Sequence, residues 1–536
     1  MSPGRPTAMN RLSYFMPAFL MALAACSETP QAEAGAAASD GPTYDEPHRP
    51  QFHFSPARAW MNDPNGLFYL DGVYHMSYQY YPDSTVWGPM HWGHATSTDL
   101  VRWQEQPIAL YPDSLGYIFS GSAVVDAQNT SGFGSLENPP VVAVFTHHDP
   151  LALEAGRSDF QSQSLAYSPD RGNTWQKYAG NPVLQNDTGI RDFRDPKVVW
   201  HPDSNQWVMA LAVYDRVRFY GSANLKDWAY LSEFGIPGDT RLWECPDLFP
   251  LRMPGSRELK WVLLVSIQKD APAGGTGTSY FVGDFDGTTF SADPASQQWL
   301  DYGADNYAFV TWSNAPAGWG QRLGIGWMSN WQYAQQVPTD PWRSAMTLPR
   351  VLQLGEDRGT YFLRSLPVPA ASSLWTSETV LPAEIDRGFE VAGDFVPSRC
   401  ELALDIDLEQ TTAGVFGCTL SNEAGEHLMI VFHRNKNEVQ IDRWNSGPKG
   451  FSEAFFKGPH KAPLNMEGAS LDVRIFFDRA SAELFADGGR LNATEVFFPS
   501  SPYTDLRLWT RGGKLVLRDG RVYGLESIWG ESPEPR

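Results

Sequence analysis

Three carboxylates stand beside Trp, Arg or Pro in a recurrent pattern. Asp63 lies in Trp60-Met-Asn-Asp-Pro-Asn-Gly66, Asp195 in Arg194-Asp-Pro196 and Glu244 in Trp243-Glu-Cys-Pro-Asp247. A single Asp-Pro is ordinarily a turn or a cap. These three instead share a phase, each shortly preceding the regular apolar segment of its own unit. That phase predicts innermost strands whose side chains converge on a common cavity. Carboxylates gathered in a concave, aromatic-walled site suit cleavage of a glycosidic bond, in which one acid protonates the leaving oxygen and a carboxylate meets the cationic transition state. Metal chemistry has little support: there is no CxxC or HExxH, and His91, His94, His147 and His148 lack ligand spacing.

The elements that must position these groups are short and β-rich. Apolar segments recur at Leu67–Tyr80, Pro140–His148, Gln206–Tyr214, Leu259–Ile267 and Arg322–Trp331, with starts about 50 to 75 residues apart. That period is long for a solenoid and suits four-stranded propeller blades. A polar turn followed by an aromatic recurs at Ser97–Trp103, Ser168–Trp175, Ser222–Trp228 and Gly283–Phe290, as an outer hairpin would place it. The expectation is an all-β chain: a five-bladed β-propeller over residues 49–355, a linker over 356–373 and a C-terminal β-sandwich over 374–536. The sandwich is read from alternating segments such as Cys400–Leu408, Leu428–Arg434, Leu471–Phe477 and Ala482–Phe485.

Composition agrees with this architecture and narrows the partners. The 536 residues are 42% hydrophobic, and 20 Trp, 21 Tyr and 30 Phe with 47 Gly and 41 Pro favour strands and tight turns over long helices. Sixty-two acidic against 41 basic residues leave a net charge of −21, which repels phosphate backbones, so no nucleic-acid partner is expected. Arg5 and Arg11 precede an uncharged apolar run, Tyr14–Ala25, that is too short to span a bilayer and reads as a signal peptide over 1–25. The run ends in Leu23-Ala-Ala-Cys26, which resembles a bacterial lipobox; a plain secretion signal cut at the same alanines is the alternative. Residues 26–48 hold five acids and no Lys or Arg before Arg49 and read as a flexible acidic tether. Membrane contact is then expected only through a lipid on Cys26, and the protein is exported, anchored or alternatively secreted. Oligomeric state has no signature here.

The motifs around Asp63, Asp195 and Glu244 resemble the signatures of the invertase, levanase and inulinase family, glycoside hydrolase family 32. Gln51–Pro56, Tyr78–Tyr80, Trp87–Ala95, Phe119–Ser122, Gly326–Tyr333 and Trp342–Arg350 are similar to its levanase and exo-inulinase branch, and Ser481–Phe485 to its sandwich. The resemblance implies an exo-acting, retaining β-fructosidase for levan, inulin-type fructans or sucrose, with no metal or organic cofactor. It implies Asp63 as nucleophile, Glu244 as general acid and then base, and Asp195 as the group that holds fructosyl hydroxyls. Asn62, Gln79, Trp87, Phe119, Ser120 and Arg194 would bind substrate. Retention requires the two reacting carboxyls about 5 Å apart, against about 8 Å for inversion.

Several points stay open at this stage. Trp87 and Phe119 also fit blade core, either Trp327 or Trp331 would face the pocket, and Cys400 and Cys418 are able to pair. Asp63 is expected to be ionised with help from Asn62 and loop N–H groups, and Glu244 to be kept protonated by an apolar Trp243–Cys245 setting. Cys245 reads as a packing or tuning group rather than a reactive thiol. A fructosyltransferase on the same scaffold, a silent glycan-binding lipoprotein and an inverting arabinan hydrolase are the competing readings. The intact acid triad disfavours the binder, and the Trp60–Gly66 match disfavours the arabinanase.

Overall fold

The outer turns carry their own explanation. In Ser97–Trp103 the Ser97 hydroxyl accepts the N–H groups of Asp99 and Leu100, and the Asp99 carboxylate accepts those of Val101 and Arg102. Leu100 takes a left-handed φ of 68°, and the Trp103 indole donates to its carbonyl at 3.2 Å. Ser222–Trp228 repeats the device with Asn224 in place of the acid, Leu225 at φ 63° and Trp228 donating at 2.9 Å. Side-chain capping of this kind stops one strand and starts the next.

The computed structural model describes residues 43–316, 318 and 320–530. The signal segment 1–25, Cys26 and the tether up to residue 42 lie outside the described residues. Each of the five recurrent segments contributes the second strand of a four-stranded antiparallel blade, as in Val141–His148, Gln206–Val213 and Leu259–Ile267. The innermost strands are Ala59–Leu70, Tyr117–Val125, Arg194–His201, Trp243–Arg252 and Tyr307–Thr311, which pack side by side around the propeller axis. Trp342–Arg343 adds a parallel partner to the first of them.

Beyond the propeller, a sandwich is built around one 21-residue strand, Asp505–Leu525. Its first half pairs with Val415–Ser421 and its second half with Cys400–Asp407, so it passes from one sheet to the other. The sandwich buries its own core of Leu, Ile, Val and Phe, while Phe476, Phe485 and Leu525 join a core with Phe52, Phe54 and Trp103 of the propeller. The two domains therefore share apolar packing, which is the dominant source of stability at such a seam.

Three expectations change. The outermost strand of the fifth blade, Thr360–Pro367, occupies much of the segment read as a linker. The turn at Arg358 and Gly359, both at positive φ, returns the chain against Arg350–Asp357, and only a 3-10 turn at Pro369–Leu374 separates blade from sandwich. The last residues of the tether are not free: Tyr44 stacks on Trp529 at 4.0 Å and Glu46 pairs with Arg49 at 2.9 Å, because an aromatic and an acid each find a partner. Cys400 and Cys418 are free buried thiols, the Cys400 thiol donating to the Pro397 carbonyl instead.

Candidate active site

The pairing of every innermost strand is interrupted near its start, and in three of them the interruption carries a proline. The strand register slips between Met61 and Pro64, between Ile118 and Gly121, opposite Arg194–Lys197, between Glu244 and Asp247, and between Tyr307 and Val310. A bulge inserts extra backbone, bends the strand and re-aims its side chains. Asp195 (φ 65°), Cys245 (φ 45°) and Ala308 (φ 52°) occupy left-handed positions within three of these bulges. Asp63, Asp195 and Glu244 thus come from blades one, three and four and face one pocket of about 340 Å³. Asn62, Gln79, Trp87, Phe119, Ser120 and Arg194 line the same pocket.

Asp63 is surrounded by donors. The Ser120 hydroxyl reaches it at 2.7 Å, the Asn62 amide at 3.1 Å and the Cys245 thiol at 3.4 Å. Asn62 is itself fixed by the Trp60 indole at 2.7 Å. Burial and the nearby Glu244 nevertheless push the Asp63 carboxyl above its usual range, with those three donors opposing the shift. Burial raises Asp195 to about 7, with Glu244 and Asp63 adding to the rise, while Arg194 and the Cys245 backbone N–H, at 3.0 Å, oppose it. The Cys245 thiol, also 3.6 Å from Asp195, is pushed well up by burial and the three carboxylates. It stays protonated, as a donor rather than a nucleophile.

The surroundings of Glu244 differ from expectation. Trp243 points to the opposite face and stacks on Phe281 in the blade core, as alternation along a strand dictates. Glu244 instead accepts from Arg194 at 2.8 and 3.0 Å, from the Tyr307 hydroxyl at 2.5 Å and from the Gln268 amide at 3.0 Å. All are donors, so in the free pocket this side chain acts as an acceptor. Arg194 also reaches Asp192 at 2.5 Å and Gln161 at 3.3 Å.

The aromatic rim resolves the remaining alternatives. Trp87 is 37% exposed and meets Phe119 edge-on, and Phe119 stacks on His148 at 4.2 Å, so both belong to the pocket wall rather than to blade core. Trp331 lines the pocket, whereas Trp327 is fully buried beneath it, against Trp60 and Trp331. Gln79 is buried and donates to the Ile118 carbonyl at 3.1 Å. Tyr307, Gln268, Gln161, Asp192 and His148 had no sequence signal of their own. Only their positions in strands that flank the bulges, or in loops beside them, identify them.

Comparison with known proteins gives a consistent result. Residues 53–365 match the glycosyl hydrolases family 32 N-terminal domain and residues 377–524 the family 32 C-terminal domain. The chain is 43% identical over 507 residues to a levanase of Bacillus subtilis, covering 92% of this chain and 73% of that one. It is 38% identical over 518 residues to an extracellular exo-inulinase of Aspergillus niger, covering 91% and 96%. The crystal structure of exo-inulinase from Aspergillus awamori superposes with a TM-score of 0.83 at 36% identity, covering 91% of this chain and all of that one. A Schwanniomyces occidentalis β-fructofuranosidase complexed with fructosyl-erythritol gives 0.80 at 32% identity, covering 90% and 99%.

Proposed function

The chain belongs to glycosyl hydrolase family 32, and on that premise we propose a retaining mechanism in which Asp63, Glu244 and Asp195 divide the work. The protein is an O-glycosyl hydrolase of the fructosidase type, and exo-action on fructans or sucrose fits its levanase and exo-inulinase relatives. The observation that carries the residue assignment is the position of Cys245, whose backbone and thiol address Asp195 and Asp63 while its neighbour in sequence is Glu244.

In the first step an Asp63 oxygen attacks the anomeric carbon of the terminal fructosyl unit, the glycosidic C–O bond breaks and Glu244 delivers a proton to the departing oxygen. In the second, Glu244 takes a proton from water, the water oxygen bonds to the anomeric carbon, and the ester to Asp63 breaks to release fructose. Asp195, raised to about 7, lets the carboxylate set hold a proton near neutrality, and the titration belongs to the set as a whole. Asn62, Gln79, Ser120 and Arg194 orient the sugar's hydroxyls, while Trp87 and Phe119 cover its apolar C–H face. Product analysis with levan, inulin and sucrose tests the reading: fructose as the sole released sugar supports it, short oligomers mean endo-action and elongated products mean transfer. Asp63→Ala and Glu244→Ala should each lower kcat by several orders of magnitude on a folded protein, and near-native turnover in either removes the assignment.

The same reading includes export and a lipid on Cys26, supported by the Leu23-Ala-Ala-Cys26 pattern and by an extracellular exo-inulinase among the relatives. In fractionated cells, activity of the wild type should require detergent, and Cys26→Ala should release it or stall as precursor. Equal recovery of both proteins in the detergent-free soluble fraction would leave plain secretion.

A further inference from the structure

Two segments of the propeller that reach the pocket are tied to the sandwich through one side chain. Arg443, 2% exposed, follows the sandwich strand Glu438–Asp442. Its guanidinium donates to Asp305 at 2.6 Å and to the Tyr333 hydroxyl at 2.9 Å, and pairs with Glu495 at 3.0 Å. It also lies over the Phe455 ring at 3.8 Å. Asp305 in turn accepts the Tyr333 hydroxyl at 2.6 Å. Two residues after Asp305 comes Tyr307, whose hydroxyl holds Glu244; two residues before Tyr333 comes Trp331, which lines the pocket.

The approach to Tyr307 rests on the sandwich as well. Tyr302 and Asp305 donate their N–H groups to the Asn492 and Thr494 carbonyls of the strand Leu491–Val496, at 2.8 and 3.0 Å. Gly303 sits where a Cβ would stand 2.1 Å from the Thr494 carbonyl oxygen, so this contact is backbone against backbone. Asn330 closes the triangle by donating to the Ala304 carbonyl at 2.8 Å. A planar guanidinium bridges an acid and a phenol from two directions at once, which a single ammonium does not reproduce.

We propose that Arg443 is a positioning residue for catalysis: through Asp305 and Tyr333 the sandwich sets the placement of Tyr307, and hence of Glu244, and of Trp331. The inference rests on the reading of Glu244 as the acid. It makes the sandwich a working part of the pocket rather than only a support for the propeller.

The test compares kcat and KM of Arg443→Lys and Tyr333→Phe with those of His53→Gln, each assayed well below its own Tm. His53 is bonded to Asp478 at 2.8 Å and Glu483 at 2.9 Å, touches no pocket residue, and reaches the segment before Tyr307 only at one remove, through Glu483, Arg350 and Asp301. Arg443→Lys keeps a charge beside Asp305 and Glu495 but loses the bridge, and Tyr333→Phe keeps the ring and loses only the hydroxyl. Both should lower kcat/KM on the order of ten- to a hundredfold, the cost expected for slight misplacement of reacting groups, with kcat falling as well as KM rising. His53→Gln should lower Tm with kcat and KM unchanged. Should Arg443→Lys fail to fold, Tyr333→Phe carries the test alone. Native kcat and KM in the folded variants would overturn the proposal, as would an equal kinetic loss in His53→Gln, which would make the seam act as a whole. If instead Glu244→Ala retains native turnover, it is the assignment of the acid that fails.

Discussion

Cys245 shows how a residue with no reactive task shapes the chemistry around it. A thiol held protonated by burial donates to a carboxylate, and a donor favours the charged form of its acceptor. Asp63 already lies above the ordinary carboxylate range, so the acid limb of the kcat/KM profile should lie above pH 4, the usual carboxylate region. Cys245→Ala removes one of three donors and raises the Asp63 carboxyl further. The nucleophile is then protonated at a higher pH, and the acid limb should move up. A pH–rate profile of the variant superimposable on that of the wild type would contradict this. The carboxylates are legible in the sequence because rigid, unusual neighbours mark them, whereas Asn62 and Ser120 are read only through the family resemblance. Tyr307 is not, because Asn306-Tyr-Ala-Phe reads as an ordinary strand opening, and only the fold brings its hydroxyl to Glu244. The apolar shelter expected for Glu244 fails for a related reason: adjacent residues in a strand face opposite sides, so Trp243 says nothing about what its neighbour meets.

At the scale of the element, the slipped register of the five innermost strands is what turns a ring of blades into a site. A regular strand would send alternate side chains to the two faces of its blade, whereas the bulges turn carboxylates, an arginine and a serine toward one mouth. Gly121 shows how tightly this is built. A Cβ there would stand 2.2 Å from the Val144 carbonyl oxygen and 2.6 Å from the Phe145 Cα, both backbone of the facing strand, while the Gly121 N–H donates to Asn65 at 3.2 Å. Gly121→Ala should therefore lower stability by roughly 1 to 3 kcal/mol, as overpacking does. It should also cost more activity than its fall in Tm accounts for, since Ser120, the donor to Asp63, is the preceding residue. Thermal unfolding and kcat/KM measured on the same preparation check both, and an unchanged kcat/KM would dissociate the bulge from the site. The blades are legible through their second strands, continuous apolar runs such as Val141–His148, and through the Ser-x-Asp turns that close them. The bulges are not, because Asp-Pro and Cys-Pro within a strand look like strand ends. The fourth strand of the last blade is also hidden, since Leu366-Pro-Val-Pro resembles the start of a linker.

For the whole molecule, the seam between propeller and sandwich combines apolar packing with charges buried out of water. His53 of the N-terminal segment lies fully buried between Asp478 and Glu483 of the sandwich, and Glu483 is paired again with Arg350, itself bonded to Asp301 at 3.0 Å. Removing charges from water is costly, and only mutual pairing and complete hydrogen bonding offset it. For His53 the two carboxylates outweigh the burial that would lower it, and its pKa rises from 6.5 to about 9. A folded-state value above the unfolded one means that protonation stabilises the fold. The contribution is present in full below about pH 6.5 and disappears as pH climbs through 9. A shift of that size corresponds to about 3 kcal/mol. Tm should accordingly decline between pH 6.5 and 9.5, a window whose lower end Asp195, at about 7, shares, and His53→Gln, which keeps donors but has no proton to lose, should start lower and show a flatter decline across that window. Parallel Tm–pH curves for the two proteins would place the titration elsewhere. Because the His53 cluster touches none of the pocket residues, the same pH window should leave the Arg443 link to Tyr307 and Trp331 intact at temperatures well below Tm, so that alkaline loss of stability and alkaline loss of turnover separate in the wild-type enzyme.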